Sequence, residues 1–327
     1  MLTRPRLTPE MADARRCLRD AMQIAGLAAG DRVILGVSGG SDSLALAAAF
    51  AFEGSKLGLI GQVIIVDHNL QIGSELIAQE AAERTTSLGL ESKVVAVEVR
   101  IKGEGLEAAA REARYQALEK ARGDSGAKLV LLGHTLDDQA ETVLLGLVRG
   151  SGLKSLSGMP VLDSERKLLR PFLGLSKATL RKSLEDQEIS WWEDPHNSDP
   201  KFTRVRTRQI LANLDSELGP GLPSALARTA EIAAEAEEYL AQSAMVLIEV
   251  AKTSDSKFRA QAFADSHKAL SHKAIQLICN SFGARNLSRA QVLEVMSLVT
   301  NFHGQKKLTF SGITVERVKD LLVFRTI

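Results

Sequence analysis

Between residues 32 and 148, short apolar runs alternate with longer amphipathic or alanine-rich runs, and this alternation constrains the fold more than any other feature of the chain. The apolar runs Arg32–Val37, Gly61–Val66, Ser92–Val97 and Lys128–Gly133 have the length and near-continuous hydrophobicity of strands buried on both faces. The runs Asp42–Phe52, Ser74–Leu88, Gly105–Arg122 and Leu136–Val148 have helical spacing. Strand–helix–strand repeats of this kind close as right-handed crossovers, so the expected fold is α/β with a doubly wound parallel sheet. Ligands of such sheets bind beyond the carboxyl ends of the strands. Three polar clusters fall there: Ser38–Ser43, Asp67-His68-Asn69 and His134-Thr135-Leu136-Asp137.

The first cluster, Ser38-Gly39-Gly40-Ser41-Asp42-Ser43, joins a strand end to a helix start. Two glycines permit close backbone approach to a ligand, and the first-turn N–H groups of a helix have no intrahelical partners. Together with the helix dipole they form an anion site suited to phosphate. No Gly-Lys-Ser/Thr follows, so the lysine of a Walker A loop is missing. A carboxylate next to polyphosphate is repulsive unless a cation lies between them, so Asp42 implies Mg²⁺. The plainer reading makes Ser41 and Asp42 simple capping groups.

In Gly133-His134-Thr135-Leu136-Asp137-Asp138-Gln139-Ala140-Glu141-Thr142, Asp137 and Glu141 are four residues apart and share a helix face. A metal or an ammonium group relieves their repulsion; dipole complementation is the competing account. Lys201, Arg204, Arg206 and Arg208 form a basic run without an intervening acid, on which 204 and 208 share a face. That run reads as a solvated surface or as a strip contacting phosphate. Trp191-Trp192 reads as packing and loop anchoring before base stacking.

Thr8-Pro9-Glu10 is a helix start, opening a helix to about Ala25. Beyond residue 148 the pattern loosens. Arg149–Gly158 reads as a loop, Lys177–Gln187 and Thr203–Leu214 as helices, and Asp215–Pro223 as a boundary. Helices follow at Leu222 to about Lys252, His267–Phe282 and Ser288–Thr300, then short antiparallel strands around 307–324. The organisation expected is a nucleotide-binding domain over 1–215 and a smaller, mostly helical domain over 216–327 ending in a short antiparallel sheet. The net charge of +1 gives no global nucleic-acid signature, and two cysteines, Cys17 and Cys279, make neither a disulfide framework nor a cysteine zinc site. No apolar run reaches the roughly 18 residues of a membrane span, and Met1–Arg6 has no apolar leader, so a cytoplasmic chain with no membrane partner is expected.

Ser-Gly-Gly-x-Asp-Ser resembles the PP-loop of ATP pyrophosphatases, whose fold is of the adenine nucleotide alpha-hydrolase-like kind. The run 133–142 resembles the Gly-His-x-x-Asp-Asp-Gln-x-Glu-Thr motif of one branch, the tRNA(Ile)-lysidine synthases. Further segments agree in order: Val66–Leu70 (departing at Asn69), Glu107–Tyr115, Arg149–Gly152 with Gly158-Met159, Arg170–Leu173, Glu193–Asp199 (with His196 where serine is usual) and Phe202–Arg206. The resemblance spans about residues 30–210. It implies a carbon–nitrogen ligase that uses ATP and Mg²⁺ to join L-lysine to C2 of the wobble cytidine of an isoleucine tRNA with a CAU anticodon. The cytidine is first adenylated, pyrophosphate and then AMP leave, and the product reads AUA as isoleucine.

By the same resemblance, Asp42, Asp137, Glu141 and His134 are the expected catalytic residues. Ser38, Gly39, Gly40, Ser41, Asp42, Ser43, Asp67, His68 and Arg114 hold ATP, and Asp42 and Asp137 are the metal ligands. Arg149, Arg204, Arg206 and Arg208 meet tRNA or phosphate. The accessory domain recognises tRNA, and a homodimer is left open. Rival PP-loop activities fit less well: thiolases use paired cysteines, and amidating synthetases need an ammonia route. An ATP-binding module without catalysis would not require Asp42, Asp137, Asp138 and Glu141 together.

Overall fold

The computed structural model describes residues 7–70, 73–100, 103, 105–150, 152–194, 199–285 and 287–327. Two compact units divide the chain, Met1–Glu231 and Ile232–Ile327.

The first unit opens on α1 (Pro9–Ile24), with Pro9 at its first position and the Thr8 hydroxyl accepting from the Met11 N–H. The core pattern follows: β1 (Arg32–Val37), α2 (Ser41–Lys56), β2 (Ile60–Asp67), α3 (Ser74–Ser87), β3 (Glu91–Ala96), α4 (Leu106–Ser125), β4 (Leu129–Leu132) and α5 (Leu136–Val148). A one-turn helix α6 (Leu153–Leu156) interrupts what the sequence suggests is loop. Next come β5 (Leu162–Asp163), β6 (Leu168–Leu169), α7 (Lys177–Glu185) and α8 (Thr203–Leu218).

The sheet order is β3-β2-β1-β4-β6-β5. β1 pairs in parallel with β2 and β4, β2 with β3, and β4 with β6, while the edge strand β5 is antiparallel to β6. The sheet is therefore mostly parallel, corrected at one edge by a hairpin of two-residue strands. Side chains of β1 alternate between two cores. Val33, Leu35 and Val37 pack with the alanine-rich α2 and with Leu18 and Met22 of α1. Ile34 packs on the other face with Ile64, Leu118, Val130 and Leu132. Helices thus cover both faces, which is why the strands read as continuous apolar runs rather than alternating ones. The winding reverses between β1 and β4, so the connections leaving these paired strands part to opposite faces and open a crevice at their carboxyl ends.

α9 (Leu222–Ala251) contains the division between the units. The second unit continues with β7 (Lys252–Ser254), β8 (Lys257–Arg259), α10 (Ala260–Ala264), α11 (Lys268–Ser281), α12 (Arg289–Thr300), β9 (Leu308–Phe310), β10 (Ile313–Val318) and β11 (Leu321–Thr326). Its sheet runs β7-β8-β11-β10-β9, antiparallel throughout, around a separate core with Phe258, Phe263 and Phe324 at its centre. The β7–β8 hairpin extends the antiparallel sheet expected from the tail alone. Among the described residues, no helix is long and apolar enough to cross a membrane.

Candidate active site

The crevice between β1 and β4 opens into a cleft of about 600 Å³ in the first unit. One wall is the loop that leaves β1. Gly39 lies at φ +84°, the left-handed region that glycine adopts without strain, and Gly40 caps α2 in an extended conformation. Ser43 turns back into the loop: its hydroxyl accepts from the Ser38 N–H at 3.1 Å and donates to the Gly40 carbonyl at 2.9 Å. The Gly39 carbonyl accepts from the Trp192 N–H at 3.0 Å, which ties the loop to the 191–194 segment. Asp42 stands in the first turn of α2, where its Oδ1 accepts from the Ser41 hydroxyl at 3.1 Å.

The opposite wall starts at Gly133. A Cβ here would lie 2.6 Å from the Asp42 carbonyl oxygen, so only glycine lets the end of β4 pass the first turn of α2. His134 follows and lines the cleft. Its imidazole Nδ1 is buried with no hydrogen-bond partner among the described residues. Burial pushes its pKa down to about 3; Asp138 opposes that shift, and Arg114, Arg170 and Arg111 add to it. His134 is thus a neutral imidazole at physiological pH.

α5 begins with a capping box in which the Thr135 hydroxyl accepts from the Asp138 N–H and Asp138 Oδ2 accepts from the Thr135 N–H. Asp138 lines the cleft; Asp137 and Glu141 are not among the lining residues. Asp137 turns to α7, where its Oδ2 accepts from the Lys177 N–H at 2.8 Å. Glu141 is only 2% exposed and pairs through Oε1 with Arg208 Nε at 2.8 Å, while its Oε2 is buried without a hydrogen-bond partner among the described residues. Burial raises the Glu141 pKa; Arg208 opposes that shift and Asp138 adds to it. Asp42 is raised by burial as well, with Lys177 opposing and Asp138 reinforcing.

Arg111 and Arg114 of α4 and Arg204 and Arg208 of α8 supply the basic side of the cleft. The basic run therefore divides. Arg204 and Arg208 face the cleft, whereas Arg206 folds back on its own helix start, donating to the Pro200 and Lys201 carbonyls at 2.7 and 2.9 Å. Arg149 caps the C-terminus of α5 and is exposed, outside the cleft lining. A smaller compartment of about 200 Å³ shares Ser38, Leu70, Arg114 and Trp192 with the cleft. Its walls are apolar residues from strand ends and α3 (Val37, Ile65, Val66, Ile77, Ala78), with Asp67 and His68 at the mouth of β2. Asp67 Oδ1 accepts from the Asn69 N–H at 2.9 Å, and Asn69 takes a left-handed φ of +50°. Burial lowers the His68 pKa, Arg114 lowers it further, and Asp67 opposes.

Two motif elements are scaffold. Gln139 clamps the Gly158-Met159 loop at two points, donating to the Met159 carbonyl at 3.0 Å and accepting from the Met159 N–H at 2.8 Å. Arg170 is buried beneath the site, donating to the Pro160 carbonyl at 3.0 Å and facing Asp163 at 3.7 Å. Within Glu193–Asp199, Pro195–Ser198 lie outside the described residues, as do Ser151 and Met1–Arg6. The sequence reading missed Lys177 as a site residue: its Nζ is 3.5 Å from Asp42 Oδ2 across the cleft. In the sequence it is only the first residue of a short helix, and no local spacing links it to the loop. Trp191 and Trp192 both wall the cleft.

The model of the PP-loop domain matches residues 13–214. The tRNA(Ile)-lysidine synthase of Leifsonia xyli subsp. xyli (strain CTCB07) is 45% identical over 304 residues, 91% of this chain and 91% of that protein. The chain belongs to the tRNA(Ile)-lysidine synthase family. The synthase of Rhodococcus erythropolis (strain PR4 / NBRC 100887) is 42% identical, covering 87% of this chain and 85% of its own length. That of Streptomyces coelicolor (strain ATCC BAA-471 / A3(2) / M145) is 41% identical, with 89% and 84% covered. In fold, the PP-loop domain of this family member is similar to the U34-tRNA thiolase NcsA from Methanococcus maripaludis, solved with its [4Fe-4S] cluster. The TM-score is 0.58 at 20% identity, over 68% of this chain and 78% of that one.

Proposed function

We propose that this family member ligates L-lysine to C2 of the wobble cytidine of an isoleucine tRNA with a CAU anticodon, through an adenylated cytidine, releasing pyrophosphate and AMP. The observation that carries the reading is the meeting, in one cleft, of a phosphate-binding loop (Ser38–Ser43) with His134 and Asp138 at the start of α5 and with arginines of α4 and α8. A loop alone holds nucleotide. Carboxylates beside it, Asp138 in the lining and Glu141 behind Arg208, suit a cationic amine within reach of an activated base.

The triphosphate lies along the loop and the N-terminus of α2, whose free amides and dipole favour anions. Adenine enters the apolar compartment between β1, β2 and α3, beside Asp67 and His68. Arg111 and Arg114 of α4 and Arg204 and Arg208 of α8 counter the charge that develops as pyrophosphate separates. Among the described residues there is no cluster of three or more carboxylate, histidine or cysteine ligands. Mg²⁺ is commonly held by one or two carboxylates together with substrate phosphates, and the partly desolvated Asp42, with Asp138 near it, fits that mode. Bound there, the ion would neutralise the polyphosphate and assist its departure.

The second step needs a neutral amine. Bringing lysine from a pKa near 10.4 to the neutral form at pH 7 costs about 4.6 kcal/mol, at about 1.36 per unit. Glu141 Oε2 is buried without a hydrogen-bond partner among the described residues, behind the cleft-lining Arg208; an ε-ammonium that displaces Arg208 would meet a carboxylate whose pKa burial has raised, a better proton acceptor than a solvated one. His134, neutral among arginines, offers a hydrogen bond to the base without adding charge. Residues 216–327 act as an accessory domain that recognises tRNA outside the anticodon by shape and phosphate contact. A cytoplasmic location suits a tRNA substrate, and the active species is proposed as either monomer or homodimer. Sulfur transfer is disfavoured because the sequence has no Cys-x-x-Cys pair, its two cysteines being Cys17 and Cys279.

Pyrophosphate release is the first test. It should require the tRNA, and Asp42→Ala should reduce it by about a hundredfold or more while the melting temperature stays within a few degrees of wild type. Wild-type release from that variant would remove Asp42 from the chemistry.

A further inference from the structure

The loop that lacks a lysine receives one from another element. Lys177 is the first residue of α7, and its side chain crosses the cleft to Asp42, with Nζ 3.5 Å from Oδ2. Both groups are partly solvent-accessible, at 28% and 22% of their side-chain areas. At that distance and exposure the pair is a weak, exchangeable contact rather than a permanent lock.

The helix end that presents Lys177 is held firmly. The Leu136 N–H donates to the Leu175 carbonyl at 2.9 Å, and the Lys177 N–H donates to Asp137 Oδ2 at 2.8 Å. The Ser176 hydroxyl caps α7 by accepting from the Thr179 N–H at 3.1 Å. The first two residues of α5 therefore fix the first residue of α7, and Asp137 spends its carboxylate on a backbone N–H that α7 cannot itself satisfy. The side chain beyond that anchor is long, flexible and aimed at the mouth of the phosphate loop.

We propose that Lys177 is the phosphate-binding lysine of this site, supplied by α7 in place of the missing Walker lysine. Asp137 is the positioning residue that sets its helix end, not a ligand of metal or amine. The proposal rests on the reading that ATP occupies the cleft. A divalent cation held by Asp42 would take over that carboxylate, leaving the Lys177 ammonium, with Glu193 as a remaining acidic neighbour in the lining, free to meet the polyphosphate. Such an exchange would let one lysine serve both Asp42 and the nucleotide.

The chain's two tryptophans, Trp191 and Trp192, both wall the cleft, so intrinsic fluorescence reports on it directly. The experiment titrates the full-length protein with α,β-methylene-ATP plus Mg²⁺ and, separately, with adenosine. Lys177→Gln should weaken the triphosphate analogue by about tenfold to a hundredfold, the range of one charge-assisted contact, and leave adenosine within twofold. Lys177→Arg should restore most of the loss. Asp137→Ala should weaken the analogue selectively, whereas Asp137→Asn, which keeps an oxygen for the Lys177 N–H, should stay within about threefold of wild type.

Equal binding of the analogue by wild type and Lys177→Gln would overturn the lysine assignment. Equal damage from Asp137→Asn and Asp137→Ala would overturn the positioning role, because it would mean that the charge itself is used. A wild type that binds no adenine nucleotide would overturn the reading of the site, and that result is distinct from a wild type that binds while Lys177→Gln binds equally well.

Discussion

His134 shows how the surroundings of one residue make its chemistry testable. With its folded-state pKa near 3, it stays neutral down to strongly acidic pH. An unfolded histidine takes up a proton near pH 6.5. Between these values the unfolded state binds the extra proton, so stability is lost as pH falls, by up to about 1.4 kcal/mol per pH unit. His134→Gln should therefore lose roughly 2 kcal/mol less than wild type between pH 7.5 and pH 5, read from urea curves followed by tryptophan fluorescence. Parallel pH profiles for the two proteins would mean that the imidazole is not held neutral. The acids of α5 mark what the sequence leaves open at this scale. Positions 137 and 141 share a face by i,i+4 spacing, but 138 and 141 are also neighbours by i,i+3. The choice is made by the capping box at Asp138 and by the α7 terminus, which arrives from 40 residues downstream. Neither is visible as periodicity.

At the scale of elements, the sheet places the site, and most of the sheet is legible. β1 and α5 have the bounds that apolar run and cap residues give, and the polar clusters fall at strand ends because crossovers are right-handed. The β5–β6 hairpin is not legible, since strands of two residues are shorter than any repeat that periodicity can detect. In the basic run at 201–208 the shared face of Arg204 and Arg208 is legible from helical spacing, whereas the folding back of Arg206 onto the Pro200 and Lys201 carbonyls is not. Motif residues such as Gln139 signal importance without saying which kind. Its side chain, 6% exposed, closes two hydrogen bonds with Met159. Gln139→Ala leaves a part-buried N–H and carbonyl of Met159 without their side-chain partner, and should cost about 1–2 kcal/mol in urea unfolding. A loss below about 0.5 kcal/mol would mean that this loop satisfies itself from solvent.

The whole molecule consists of two units with separate cores: the two faces of the parallel sheet in the first, and the phenylalanine-centred cluster of helices and antiparallel strands in the second. Both tryptophans lie in the first unit, so their fluorescence follows that unit while far-ultraviolet circular dichroism follows both. Urea transitions monitored by the two probes should not coincide. Coincident curves would mean that the units unfold as one. With the division of labour proposed for the units, ATP chemistry in one and tRNA recognition in the other, the proposed order of occupants of the cleft is a nucleotide, a base and an amine. The most direct measurement is the identity of the group joined to the tRNA. Unmodified isoleucine tRNA with a CAU anticodon is incubated with ATP, Mg²⁺ and labelled lysine in competition with ammonium and a sulfur donor, and the wobble nucleoside is then analysed by mass. The account expects cytidine heavier by one lysine less one water, with label recovered in that nucleoside and lost in Asp42→Ala. An aminated or thiolated nucleoside, or no lysine in the tRNA, would contradict it.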